Sequence, residues 1–181
     1  MEITVIRSRR KTLALQVKDL QVIVRVPLFT GRREIEAFVE KNRAWIMKQL
    51  KKQEQARKTA ESTVPLTEEE KKALIKKAHR IFPERCAYYA ERIGVDYNRI
   101  TIRGQKTRWG SGSAKGNLNF NWLLLLAPPE VLDSVVVHEL CHRKEMNHSK
   151  RFYEEVYRVF PDYDKWNRWL KENGDRLQCH L

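Results

Sequence analysis

The chain has 181 residues, with 36 Lys or Arg against 23 Asp or Glu, a net charge of +13 and a sequence pI near 9.8. That length buries one real core with an appendage, and it contains no apolar run able to span a bilayer, the longest (Trp122 to Ala127) being cut off by Pro128-Pro129. The N-terminus lacks the core of a signal peptide, and three scattered cysteines exclude a disulfide framework, so the expectation is a cytoplasmic protein with no membrane partner.

The charge is uneven. Residues 1–60 hold fifteen Lys or Arg and six Asp or Glu, nine of the thirteen net charges. Such a segment suits nucleic acid, ribosomal material or another polyanion, and it equally suits a solvated, highly charged surface. Within it, Ile3 to Arg7, Leu13 to Lys18 and Leu20 to Pro27 alternate apolar and polar residues and predict an antiparallel β-meander that turns at Asp19. Arg9, Arg10 and Lys11 cluster at one end of it and are the candidate nucleic-acid contacts. Thr30 then caps one helix running to about Lys58, with Ile35, Phe38, Val39, Trp45, Ile46 and Leu50 as its core stripe. Residues 59–65 lose periodicity and read as a linker, giving a basic subdomain over 1–60 and a second domain over 61–181.

The second domain opens with Thr67-Glu-Glu-Glu, an N-cap followed by acidic first-turn residues. The helix predicted from it is kinked or split at Pro83 and stopped by Gly94. Arg99 to Arg103, Lys106 to Ser113 and Asn117 to Asn121 predict three strands. The last carries Leu118 and Phe120 on one face and asparagines on the other; at a sheet edge it could pair with an extended peptide. Pro128-Pro-Glu opens a further helix. Ser149 caps another that Pro161 ends, and a last helix runs from about Tyr163 to Glu172, closed by Gly174.

The helix after Pro128 carries the chemistry. His138 and His142 are four apart, so on a helix both imidazoles share one face, and Glu139 follows the first. This is the His-Glu-x-x-His pattern: two histidines hold zinc and the glutamate is the general base toward a water that the metal activates. A catalytic site needs a third ligand. Of the remaining histidines, His79 lies on a predicted helix and reads as core or surface, and His180 is next to the C-terminus. His148 lies six residues beyond His142 and reaches the metal only if the helix ends first. Metzincins turn on a glycine within that spacing; Glu145 stands there here, so Asn147 is the expected turning point. Cys141 points away from the histidine face and reads as a small buried apolar residue. The expectation is one Zn2+ per chain on His138, His142 and His148, with Glu139 catalytic.

Trp109-Gly-Ser, Asn119 and Asn121, Pro128-Pro-Glu, His138-Glu-Leu-Cys-His and Lys144 to Phe152 together resemble the YgjP-like zinc metallopeptidases, which look related to the SprT and WLM proteases. The likeness extends to Ser8-Arg-Arg-Lys and to Phe38 through Ile46. It implies an α+β, zincin-like fold in which the metal helix packs on a small mixed or antiparallel sheet, with an N-terminal β-hairpin or meander plus helix. It also implies His138, His142 and His148 as ligands, Glu139 as base, and a peptide or protein substrate. The family usually has a cysteine after Trp-Gly-Ser, where this chain has Gly112.

The activity expected is hydrolysis of peptide bonds, and Arg108, Trp109, Asn119, Asn121 and Tyr153 are the candidate substrate contacts. Carboxylates are expected to orient the histidines. The competing expectation is a nucleic-acid- or ribosome-associated module with a structural zinc, which three histidines disfavour because structural sites are normally closed by four ligands, mostly cysteine.

Overall fold

The computed structural model describes residues 3–181, apart from the side chains of Ala56, Thr59 and Ala60. The chain divides into two compact units, Met1–Ser62 and Thr63–Leu181.

The first unit holds strands β1 (Ile3–Ser8), β2 (Ala14–Lys18) and β3 (Gln21–Pro27), then helices α1 (Arg32–Lys41) and α2 (Arg43–Ser62). The strands do not form a meander. β2 and β3 are an antiparallel hairpin turning at Asp19 and Leu20, both at positive φ, but β1 runs parallel to β3 on its other side. The order β1-β3-β2 follows from burial. Val22, Val24 and Val26 of β3 are fully buried, while every residue of β1 is exposed, so the most apolar strand takes the centre. The single helix expected from Thr30 is two. The first begins after Gly31 and stops at Asn42, whose side-chain amide donates to the Phe38 carbonyl and so competes with the backbone ladder. Trp45, expected in the core stripe, is 44% exposed.

The second unit begins with α3 (Glu68–Ile93). Thr67 and Glu70 form a reciprocal capping box, Gly94 closes the far end in the left-handed conformation, and Pro83 sits inside without splitting the helix. β4 (Ile100–Arg103), β5 (Gly110–Gly112) and β6 (Leu118–Asn121) form a sheet of order β4-β6-β5, with β4 parallel and β5 antiparallel to β6. The asparagine strand is therefore central, and the short glycine strand β5 is an edge. A 3-10 turn (Trp122–Leu126) leads into α4 (Pro129–Cys141), followed by α5 (Lys150–Val159) and α6 (Tyr163–Gln178). Gly174 does not end α6. It lies inside the helix, where a Cβ would come within 2.9 Å of the Trp109 ring.

Helix α4 is buried nearly all round: Val131, Leu132 and Val135 to Val137 are apolar, and the buried polar residues between them, Asp133 and Ser134, are paired with Arg85 and with the Val131 carbonyl. Phe82 of α3 stacks on Phe120 of β6 at 4.8 Å, and Arg85 of α3 makes a bidentate pair with Asp133 of α4 at 2.6 Å for each bond. These contacts pack α3 against both the sheet and α4. No helix among the described residues is long and apolar enough to cross a membrane.

Candidate active site

His138 is in the last turn of α4, and His142 is its C-cap. The chain leaves the helix there, not at Asn147. Arg143, Lys144 and Glu145 donate back to Leu140 and Cys141 in a tight turn, and the Arg143 guanidinium is tied to the carbonyls of Asp96 and Ala114. Asn147 does not adopt positive φ. The turn delivers His148 back over the helix, and the Ser149 hydroxyl caps α5 by accepting from the Phe152 N–H.

The three imidazoles present Nε2 to one point. His138 Nε2 lies 3.2 Å from His142 Nε2 and 3.0 Å from His148 Nε2. Two nitrogens at ~2.0–2.1 Å from a tetrahedral zinc are about 3.3 Å apart, so this donor set fits that ion. No other group of three His, Cys, Asp or Glu among the described residues converges this way. Phe152, fully buried, contacts all three rings at centroid distances of 4.6 to 5.0 Å and walls the site from behind. Burial, reinforced by the neighbouring imidazoles, pushes His138 down to about 4, and burial lowers His142 as well. Both are thereby kept neutral, the form that ligates metal.

The partners on the opposite ring nitrogens are not carboxylates, which corrects the expectation. His138 Nδ1 is 2.8 Å from the Tyr163 hydroxyl, and His142 Nδ1 is 3.1 Å from the Glu145 carbonyl oxygen.

Glu139 is buried on the adjoining side of α4, under β5. Burial raises its carboxyl to about 7, against the opposing pull of the nearby Gly112 N–H and of the Arg108 charge. The approach of strand to helix demands glycine: a Cβ on Gly110 would meet Glu139 Oε1 at 2.7 Å, its Cγ at 2.8 Å and Val135 Cγ1 at 2.9 Å. At Gly112, where the family usually has cysteine, a Cβ would make only ordinary contact with Glu139, at 3.4 Å from its carbonyl oxygen. A cavity of about 230 Å3 opens beside His138 and Glu139, walled by Arg108, Trp109, Tyr163 and Asn167.

Of the other expected contacts, Arg108 and Trp109 line this cavity, and Trp109 also packs on Gly174. Tyr153 is half-buried with its ring 6.3 Å from that of His148. Asn119 donates to the Ser111 hydroxyl across the β5–β6 pair. Asn121 is buried, with its amide nitrogen donating to the Gln105 and Arg108 carbonyls and its oxygen accepting from the Leu123 N–H. It braces the loop that presents Arg108. His79 is exposed on α3, and Cys141 is buried within α4. Sequence reasoning missed Tyr163, Asn167 and the Gly112 N–H. None has a local signal, since each meets the site only through packing.

In the first unit, Arg9 and Lys11 are exposed in the β1–β2 loop and Arg10 is half-buried; none has a carboxylate partner among the described residues. The larger cavity of about 820 Å3 is also there, between β1 and α1, floored by Ile3, Val5, Ile35 and Val39. Its rim charges are spent on each other, Arg32 with Glu36 and Arg43 with Glu40, and it contains no group suited to chemistry.

The family described as YgjP-like, metallopeptidase domain, matches residues 11–72 and 58–173. Comparison with the curated proteins finds no match. Two solved structures share part of the chain. One is the metallopeptidase zymogen of Pyrococcus abyssi abylysin, 23% identical with a TM-score of 0.46, covering 51% of this chain and 94% of its own. The other is the metallopeptidase zymogen of Methanocaldococcus jannaschii jannalysin, 20% identical with a TM-score of 0.46, covering 52% and 97%.

Proposed function

The chain belongs to the YgjP-like metallopeptidases, and from that membership we propose that it is a zinc peptidase in which His138, His142 and His148 hold the metal and Glu139 is the general base. The observation that carries this reading is the convergence of three Nε2 atoms beside a buried carboxylate that is not itself a ligand. Zinc held there supplies Lewis acidity, polarising a carbonyl oxygen and acidifying water.

The protein groups supply the rest. Glu139 takes a proton from the water that attacks the scissile carbonyl, and delivers it to the leaving amine. Its elevated carboxyl pKa suits both halves of that transfer near neutrality. The glycines of β5 pack close on the Glu139 side chain, and Phe152 excludes water from behind the imidazoles. Because β6 is central and β5 is the edge strand that lies against Glu139, an extended peptide adds to β5 rather than to the asparagine strand, and passes over Glu139 as it does so. Arg108, Trp109 and Tyr153 are the side chains best sited to meet it, with Tyr153 on the His148 side and Arg108 on the Glu139 side. Asn119 and Asn121 act by shaping β6 and the preceding loop.

A structural zinc is the weaker reading, because a closed site takes a fourth protein ligand and the described residues offer three. The test is hydrolysis of an unfolded protein by zinc-loaded enzyme, with metal content measured on protein lacking a histidine tag. Stoichiometric zinc with hydrolysis that Glu139→Gln abolishes is the expected result. Equal hydrolysis by Glu139→Gln and wild type would sink the proposal.

A further inference from the structure

Each ligating imidazole has a second nitrogen, and the three are treated differently. The Nδ1 of His142 meets a backbone carbonyl that no substitution removes. The Nδ1 of His148 has no hydrogen-bond partner among the described residues, and that side chain is exposed. The Nδ1 of His138 meets a side chain, the Tyr163 hydroxyl at 2.8 Å. Building on the zinc reading above, we infer that Tyr163 is a positioning residue: its phenol oxygen accepts the Nδ1–H of His138, which fixes the tautomer and aims Nε2 at the metal.

Three observations carry this. Tyr163 is 5% exposed, so water does not replace its hydroxyl. Its ring lies nearly parallel to that of His138, 13° between planes at 6.0 Å, which leaves the imidazole one orientation in its plane. The phenol is also anchored at the first residue of α6, whose backbone N–H donates to the Phe160 carbonyl at 3.1 Å, so its position depends on the helix and not on a loop. His138 is the central ligand, its Nε2 within 3.2 Å of both others, so a rotation of this ring disturbs the whole set. An unligated Nδ1–H in that pocket would otherwise be a half-buried donor without a partner. Unlike a carboxylate in this place, a phenol holds the ring without adding negative charge to the metal's surroundings.

Tyr163→Phe removes one oxygen and keeps the packing. The expected result is zinc affinity weakened about 10–100-fold, read by competition with a chromophoric chelator, with the circular dichroism spectrum of the metal-free protein unchanged. Tyr157→Phe is the control. Its hydroxyl donates to the exposed Asp164 carboxylate, and its loss leaves zinc affinity as in wild type. A packing role alone predicts the reverse, a lowered melting temperature for the metal-free Tyr163→Phe protein with an unchanged zinc dissociation constant, and that outcome overturns the inference. Wild-type protein that binds no zinc overturns both this inference and the function it rests on; tight binding by wild type and Tyr163→Phe alike overturns this one only. Should the variant fold poorly, zinc-loaded wild type decides by nuclear magnetic resonance. The His138 Nδ1–H exchanges with solvent far more slowly than the His148 Nδ1–H if the phenol holds it, and equal rates overturn the inference.

Discussion

The two units of this protein are built to different standards. The second buries Phe82, Phe120, Trp122 and Phe152 in one continuous core, and its site atoms lie within hydrogen-bond distances of one another. Among the described residues the first closes over six buried apolar side chains, Val22, Val24, Val26, Ile35, Val39 and Ile46, and leaves Phe29 97% exposed. It carries most of the excess positive charge, and its ion pairs are exposed i,i+3 and i,i+4 contacts on helix surfaces. Such pairs contribute little to stability. The lesson is that chemistry needs an over-determined core beneath it, whereas charge-based association needs only exposed cations. Substitutions in the second unit should therefore alter catalysis and metal binding, and surface substitutions in the first should leave both unchanged.

The sharpest test of that division is Glu139→Gln. Loss of the base should lower hydrolysis about 10²–10⁴-fold with zinc content unchanged. Next is His148→Ala. Removing a ligand should weaken zinc binding by more than the ~10–100-fold expected for Tyr163→Phe, since the latter removes only an outer partner. Equilibrium dialysis of the two variants side by side ranks them, and a smaller loss for His148→Ala would remove it from the ligand set.

Gly110→Ala probes the tolerance of the core itself. The added methyl would come within 3.0 Å of the Glu139 side chain and Val135, so one of them or β5 must shift, and destabilisation of about 1–3 kcal/mol and reduced hydrolysis are expected. Unchanged denaturant midpoint and activity would mean that β5 is free to move away from α4.

A pH titration of the metal-free protein separates two opposing groups in the same site. His138, lowered to about 4, contributes stability that is present above about 6.5 and is lost as pH falls toward 4. Glu139, raised to about 7, contributes stability that is present below about 4.5 and is lost as pH rises toward 7. In wild type the two slopes offset each other between those limits. In Glu139→Gln only the histidine slope remains, so urea midpoints should fall with acid more steeply than in wild type. Identical pH profiles would contradict the assignment of both shifts to burial.

The smallest effect on catalysis should come from the first unit. Reversing Arg9, Arg10 and Lys11 to glutamate should leave hydrolysis of an uncharged peptide unchanged. If those cations meet phosphates, binding to single- or double-stranded nucleic acid should weaken steeply with salt, and the variant should flatten the log–log slope by up to about three. Altered turnover of the uncharged peptide would break the division between the units.

Some of this was legible from the residues. The His138–Glu139–His142 spacing, the Thr67 and Ser149 caps and the Gly94 stop are set by neighbours within four positions, and a helix repeats the same geometry wherever it forms. The alternation of β2 and β3 with Asp19 between them likewise gave a hairpin. The exit from α4 was misplaced because Asn147 supplied a turn signal, whereas the turn forms at His142 and is pinned by Arg143 against Asp96 and Ala114, residues 47 and 29 positions away. Gly174 read as a stop for the same reason: a glycine marks a helix end locally, but here its bare Cα makes room for the Trp109 ring.

What the sequence determined by itself is therefore the helix that carries His138, Glu139 and His142, and the caps that begin and end its neighbours. Tertiary structure alone decided that β1 runs parallel beside β3, that β4 and β5 and not the asparagine strand are the edges, and that Tyr163, 25 residues from His138, faces its ring nitrogen. The physical reason is range. Helix spacing and caps act through bonds made within one turn, whereas strand order and the outer partners of a metal site depend on which apolar faces bury together, and no short window of residues records that.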